Sequence, residues 1–277
     1  MATPRLATFP LRAADGGPLY VEVRSGARPG EVRPTVVICH GFKGFKDWGF
    51  FPKVADRLAL AGYTAVTFNF SGSGVGPDSE VVDEPERWFR QTLSDDLADL
   101  ATVVDHLAAS PPPWIGLLGH SRGGATAVLQ AARDPRVAAL VTWSAVSTFH
   151  RYPPADVERW RREGRMDVVN ARTGQVLPIG TDLLDDLQTH GNGVLDVLAA
   201  AARVGVPWLI AHGADDESVP CAEAERLVGA SASERTRLLK IGGAGHTFGV
   251  RHPWAGTTPE FDSLLQATVG FLAATLP

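Results

Sequence analysis

Apolar residues fall along this chain in two rhythms. Short unbroken runs, such as Thr35 to Cys39, Trp114 to Leu118, Val137 to Trp143 and Trp208 to Ala211, are rich in Val, Ile and Leu. Runs that are apolar at nearly every position suit strands covered on both faces. Between them, Phe51 to Ala61, Leu93 to Ala109, Gly123 to Arg133, Ala222 to Val228 and Pro259 to Ala274 carry the pattern of helices with one buried face. Gly62 closes the first of these, and Pro111-Pro112-Pro113 stops the second. Thr64 to Phe70 and Thr236 to Ile241 read as further strands. Near the start, Leu6 to Leu11 and Leu19 to Arg24 flank Asp15-Gly16, which predicts a hairpin. Repeated strand–helix alternation predicts an α/β fold with a mostly parallel sheet and helices on both faces.

One stretch breaks the alternation. From Ser147 to Val204 the pattern offers no clear strand, only a charged run from Glu158 to Arg165, a Gly174 turn and an Ala-rich helix near Leu195 to Ala202. A connection this long inside one domain is usually functional. It is read as a small cap, residues 147–204, inserted in a single domain that spans residues 1–277. A surface excursion without a role is the plainer alternative.

Composition narrows the function classes. The chain has 277 residues, a net charge of −5 and no block of like charge, which argues against a nucleic-acid groove or a polybasic membrane anchor. Lys43 and Lys46 flank Phe45 without making a patch. Cys39 and Cys221 read as free thiols. Met1 to Phe9 lacks the apolar stretch of a signal peptide, and no run reaches the ~18 apolar residues of a membrane span. A cytoplasmic location is the expectation.

Candidate chemistry lies where predicted strands end. Gly119-His120-Ser121-Arg122-Gly123 matches G-x-S-x-G between a strand-like and a helix-like run. That chemistry needs a strand–sharp turn–helix, which lifts the serine hydroxyl clear of the sheet. A Gly-rich turn with an N-capping serine would look the same by letter alone. A serine nucleophile needs a base, and the base needs an orienting acid. After Ser121 the chain offers His212-Gly213-Ala214-Asp215-Asp216-Glu217-Ser218-Val219-Pro220 and then Gly245-His246-Thr247-Phe248, both just past strands. Such loops share one edge of a parallel sheet.

These segments, with His40-Gly41-Phe42-Lys43-Gly44, resemble the acid, histidine and oxyanion-hole loops of bacterial α/β-hydrolases. The nearest likeness is to the feruloyl/cinnamoyl esterase and dienelactone-hydrolase-like branch. It implies an α/β-hydrolase fold with a small cap before the acid strand. It also implies a catalytic triad of Ser121, Asp216 and His246, with the Phe42 and Arg122 amides as the oxyanion hole. The spacing to Val219-Pro220 selects Asp216 over its neighbour Asp215, and His252, before Pro253, is the rival to His246. Dienelactone hydrolases carry a cysteine nucleophile and dehalogenases an aspartate, so Ser121 departs from both. The loop Asn69-Phe70-Ser71-Gly72-Ser73-Gly74 also departs from the usual Asp-x-Arg-Gly-x-Gly.

The expected function is carboxylic ester hydrolysis through an acyl-enzyme, on a small-molecule ester, with no cofactor and no metal. His40, His120 and His212 lie at strand ends without metal-ligand spacing and read as hydrogen-bonding neighbours. Trp143, Tyr152 and Trp160 are candidate walls for the substrate, against the alternative of simple packing. A homodimer is compatible with the sequence. An exopeptidase or amidase with the same triad, and a non-enzymatic binding member of the fold, are the competing readings.

Overall fold

The computed structural model describes residues 4–28 and 30–275. In chain order the strands are β1 (Arg5–Arg12), β2 (Pro18–Ser25), β3 (Thr35–Cys39), β4 (Thr64–Phe68), β5 (Ile115–His120), β6 (Val137–Trp143), β7 (Arg165–Val169), β8 (Val176–Gly180), β9 (Trp208–Gly213) and β10 (Thr236–Ile241). The helices are α1 (Phe51–Leu60), α2 (Pro85–Phe89), α3 (Leu93–Ala108), α4 (Arg122–Ala131), α5 (Pro154–Glu163), α6 (Asp182–His190), α7 (Val197–Ala201), α8 (Ala222–Ala230) and α9 (Pro259–Thr275).

Eight strands form one sheet in the order β1-β2-β4-β3-β5-β6-β9-β10. The β1–β2 hairpin and the β2–β4 pair are antiparallel, and the remaining pairs are parallel. The unbroken apolar runs have a direct cause in this arrangement. Successive side chains point to opposite faces of a strand, and both faces are covered. Val37, Leu117, Leu140 and Ile210 join a core built with α3, α4, α7 and α8. Val36, Leu118, Val141 and Leu209 join a second core built with α1 and α9. Burying one such side chain contributes ~1.5–3 kcal/mol. Any polar residue in these strands would therefore face a core on one side or the other.

The connection from β6 to β9 contains more order than its sequence suggests. β7 and β8 form a separate antiparallel ribbon, contrary to the expectation of no strand. The ribbon is half exposed, with Val169 and Val176 each 60% accessible, and Pro178 lies within β8. One solvated face and one proline hide the strand period. The helix α6 was also not anticipated. It docks on the start of α3, where Asp186 Oδ2 accepts from the Leu93 and Ser94 amides at 2.9 and 3.0 Å. Thr92 caps the same helix by accepting from Asp95 N at 3.0 Å. Together these bonds satisfy three of the amides that any helix start leaves free. At the other end of the connection, α7 packs against α4 and α8 and so joins the main helical layer.

Candidate active site

Ser121 sits between β5 and α4 at φ 55°, ψ −123°. A non-glycine residue held at positive φ stores ~1–3 kcal/mol of strain. The neighbouring glycines make that turn possible. A Cβ on Gly119 would lie 2.3 Å from Gly123 O, and one on Gly123 would lie 2.2 Å from His40 O. Only glycine lets β5, α4 and the end of β3 approach so closely. The hydroxyl thus stands at the start of α4, where the helix dipole favours negative charge.

Two loops bring partners to it. Ser121 Oγ lies 3.1 Å from His246 Nε2, and His246 Nδ1 lies 2.8 Å from Asp216 Oδ2. The other carboxylate oxygen, Asp216 Oδ1, accepts from Ser218 N at 3.0 Å and Val219 N at 2.8 Å. Burial raises the Asp216 pKa, but the His246 ring and the Val219 amide outweigh it and hold the carboxyl below its usual range. The acid is therefore an anion that accepts from Nδ1–H, which leaves Nε2 as an acceptor for the serine proton. Asp215 is exposed and contributes its amide to Ala244 O at 2.9 Å. His252 lies in a different cluster. Its Nδ1 accepts from Gly49 N at 2.9 Å, and its ring meets Phe45 and Trp48.

Three more histidines surround the site, each bonded to a backbone carbonyl. His120 Nε2 bonds His246 O at 2.9 Å, and His212 Nε2 bonds Val219 O at 2.8 Å. His40 Nδ1 bonds Gly41 O at 2.9 Å while its Nε2 accepts from Phe70 N at 3.1 Å. Desolvation pushes the His40 and His120 pKa values down to about 4 and about 3, and that of His212 also falls. Neutral rings thus pin the histidine, acid and oxyanion loops. No cluster of His, Cys, Asp or Glu suited to a metal exists among the described residues.

Phe42 and Arg122 line the same cavity as Ser121. A Cβ on Gly41 would lie 2.9 Å from Ser121 Cβ, so this loop runs against the serine. Among the described residues, neither the Phe42 nor the Arg122 amide donates a hydrogen bond. Two free donors beside a nucleophile are what a developing oxyanion requires. The side chains join the two halves. The Arg122 guanidinium lies 5.1 Å from the Phe42 ring centroid, and Phe42 stacks on Trp88 at 5.3 Å. Arg122 Nη1 donates to Gln91 Oε1 at 2.7 Å, and Nε lies 3.2 Å from Asp96 Oδ2. Burial drives the Asp96 pKa up to about 7, against the pull of Arg122.

Ser121 and His246 open into a cavity of about 460 Å³. Its apolar wall comes from Leu93, Val146, Phe149, Leu183, Leu187 and Val219. Tyr152 lines it as well, together with Lys43, Arg122 and Arg151. Trp143 and Trp160 lie elsewhere. Trp143 is fully buried with Nε1 on Thr268 Oγ1 at 3.1 Å, inside the core beneath α9. Trp160 is 1% exposed, donates to Ile179 O at 3.0 Å and supports Tyr152 edge-on. Phe149, Leu183 and Leu187 escaped sequence reasoning because an apolar residue in an insertion carries no mark that separates pocket from core. Gln91 and Asp96 escaped it because their relation to Arg122 exists only in three dimensions.

Comparison with known proteins agrees with this architecture. The model of the serine aminopeptidase S33 family matches residues 30–178. The chain is 26% identical over 229 residues to the 2,6-dihydropseudooxynicotine hydrolase of Paenarthrobacter nicotinovorans. That match covers 81% of this chain and 55% of the relative, so the chain spans about half the length of that protein. Among solved structures, Est1E from Butyrivibrio proteoclasticus with bound ferulic acid superposes with a TM-score of 0.70 at 21% identity, covering 96% of this chain and 98% of that one. The alpha/beta hydrolase domain-containing protein 10 from mouse gives 0.72 at 17% identity, covering 98% and 100%. At these identities the structural likeness shows the fold, which is that of the α/β-hydrolases.

Proposed function

The chain belongs to the serine aminopeptidase S33 family, serine hydrolases of the α/β-hydrolase fold, and we propose that it hydrolyses carboxylic esters through an acyl-enzyme on Ser121. The observation that carries this reading is the continuous relay from Ser121 Oγ through His246 to Asp216, at 3.1 and 2.8 Å. His246 Nε2 takes the hydroxyl proton as Ser121 Oγ attacks the ester carbonyl. The Phe42 and Arg122 amides bind the oxyanion, and Asp216 stabilises the imidazolium. The imidazolium returns its proton to the departing alcohol. Water then attacks the acyl-enzyme with His246 as base again, and the free acid leaves.

The family description keeps a second reading in view, the release of an N-terminal amino acid. Charge argues against it. An aminopeptidase holds an α-ammonium, for which a carboxylate beside the nucleophile is the strongest partner. The cavity lining contains no Asp or Glu among the described residues. The relative that binds ferulic acid and the neighbour described as an esterase domain from Rhodothermus marinus lend the ester reading support from the fold. Comparing kcat/KM for p-nitrophenyl esters with that for aminoacyl-p-nitroanilides tests the choice. With each value divided by the rate of the same substrate with hydroxide, esters are expected to lead by about 10- to 150-fold, the worth of one missing charge-assisted contact. Anilides processed faster than esters would reverse the assignment.

A further inference from the structure

The chain carries a net charge of −5, yet its active-site cavity is lined by Lys43, Arg122 and Arg151 and by no carboxylate among the described residues. We propose that this cavity selects esters that themselves carry an ionised carboxylate, which Lys43 and Arg151 hold beside Ser121. The inference rests on the ester-hydrolase reading and names the substrate class of that same site.

Three nearby acids are engaged behind the wall, and the exposed Glu217, beside Ser218, does not line the cavity. Asp216 is committed to His246 and to the Ser218 and Val219 amides. Asp96 lies under Arg122. Glu223 Oε2 accepts from Ser147 N at 2.7 Å and from Ser147 Oγ at 2.5 Å. Its Oε1 stands 3.3 Å from Arg226 and 3.9 Å from Arg151. Arg151 therefore has at most a distant, shared carboxylate, and its one close bond is to Ser218 O at 2.9 Å. Lys43 makes no ion pair among the described residues, and its ammonium lies 5.8 Å from the Phe42 ring centroid. Lys43 is also one of the few non-glycine residues at positive φ, at 59°, in the loop that supplies the Phe42 amide.

The arginine charges act on the cavity interior. Burial raises the Tyr152 phenol pKa, and Arg122 and then Arg151 pull against that rise. Leu93, Phe149 and Leu187 line the same cavity, while Lys43 and Arg151 are exposed at its edge, so the attraction they exert is screened by salt. A neutral ester leaves Lys43 without an anionic partner and Arg151 with only the distant Glu223 carboxylate. An anionic ester gives both cations a partner while its chain lies against the apolar wall.

Two pairs of substrates distinguish where the carboxylate sits. For the acyl side, p-nitrophenyl hydrogen adipate is compared with p-nitrophenyl hexanoate. For the alcohol side, 4-acetoxybenzoate is compared with its methyl ester. Each kcat/KM is divided by the rate of the same ester with hydroxide, and phosphonate labelling of Ser121 counts active sites. In at least one pair the anion is expected to lead by about tenfold at low salt, the lower range for a hydrogen bond to a charged group. The pair that shows the lead identifies the side. The lead should shrink as salt rises, and Lys43→Gln or Arg151→Gln should cut it by about threefold or more. Equal or inverted ratios in both pairs overturn the proposal. So does a lead that neither substitution changes. Loss of both labelling and turnover counts against the serine-hydrolase site itself, and labelling without turnover of any ester removes the ester reading together with this inference.

Discussion

Replacing Asp216 with Asn changes one atom and has a defined consequence for the relay. In the native site Oδ1 accepts from the Ser218 and Val219 amides at 3.0 and 2.8 Å, while Oδ2 receives the His246 Nδ1 proton at 2.8 Å. An asparagine can satisfy both backbone donors only by keeping its carbonyl oxygen on their side. Its NH₂ then points at His246 Nδ1, which must become an acceptor. The imidazole proton moves to Nε2, 3.1 Å from Ser121 Oγ, and that nitrogen can no longer take the serine proton. In a well-studied protease triad the same change costs about 10⁴ in kcat, or ~5.5 kcal/mol. Folding should suffer little, because all the donor–acceptor pairs remain matched. Asp215→Asn should stay within about twofold, since the side chain is exposed and exposed substitutions usually cost little. The assay is steady-state hydrolysis of p-nitrophenyl acetate, with active sites counted by phosphonate titration. A loss in Asp216→Asn below about tenfold, or a larger loss in Asp215→Asn, would refute the tautomer argument.

Further consequences follow from the loops and walls. Gly41→Ala places a Cβ 2.9 Å from Ser121 Cβ and 3.1 Å from His120 O. Displacing the Phe42 amide should lower kcat by about 10²–10³, as loss of one oxyanion donor does; an unchanged kcat would remove Phe42 from the hole. Leu187→Ala should raise kcat/KM for bulky aromatic esters relative to p-nitrophenyl acetate by about tenfold, the scale of a methylene-sized change in an apolar pocket. A constant ratio would show that α6 does not bound the substrate. On acidification, His40 and His120 should charge. Their pKa values are depressed in the fold to about 4 and about 3, below the ~6.5 of an unfolded chain. Their contribution is complete above about pH 6.5 and is lost as pH falls through the folded values. At ~1.4 kcal/mol per pH unit, His40 alone removes ~3 kcal/mol between about pH 6.5 and pH 4. Urea unfolding at both pH values should show that loss in the wild type and a smaller one in His40→Gln. Equal losses would contradict a neutral, buried His40.

The central sheet was legible because burial on both faces writes itself into every position. The range of β3, buried at all positions, matches the apolar run that predicts it, and the edge strand β10 also spans the range expected although only Ile241 in it is buried. β5 runs two residues beyond its apolar run, to His120, because Gly119 and His120 still pair with β6 at Thr142 and Trp143. The three loops that meet at Ser121 were also legible, since a strand–turn–helix serine and two strand-end loops leave letters at fixed places. What could not be read was the insertion. The β7–β8 ribbon is covered on one side only, and α6 is defined by its docking on α3 through Asp186. The tryptophans mark the same limit. Trp143 and Trp160 differ from Tyr152 only in where their surroundings end, a matter of packing that composition does not carry.

The geometry around Ser121 makes one demand above all others. The chain should form a single covalent adduct with a fluorophosphonate, on the peptide that contains Ser121. Rapid mixing with p-nitrophenyl acetate should give a burst of one nitrophenol per chain. Tandem mass spectrometry of the labelled wild type beside Ser121→Ala reads this directly. The account predicts an adduct at Ser121, no adduct in the variant, and ester turnover reduced by at least ~10⁴ with the fold retained. An adduct on another residue, or a variant that still hydrolyses the ester with a full burst, would contradict it.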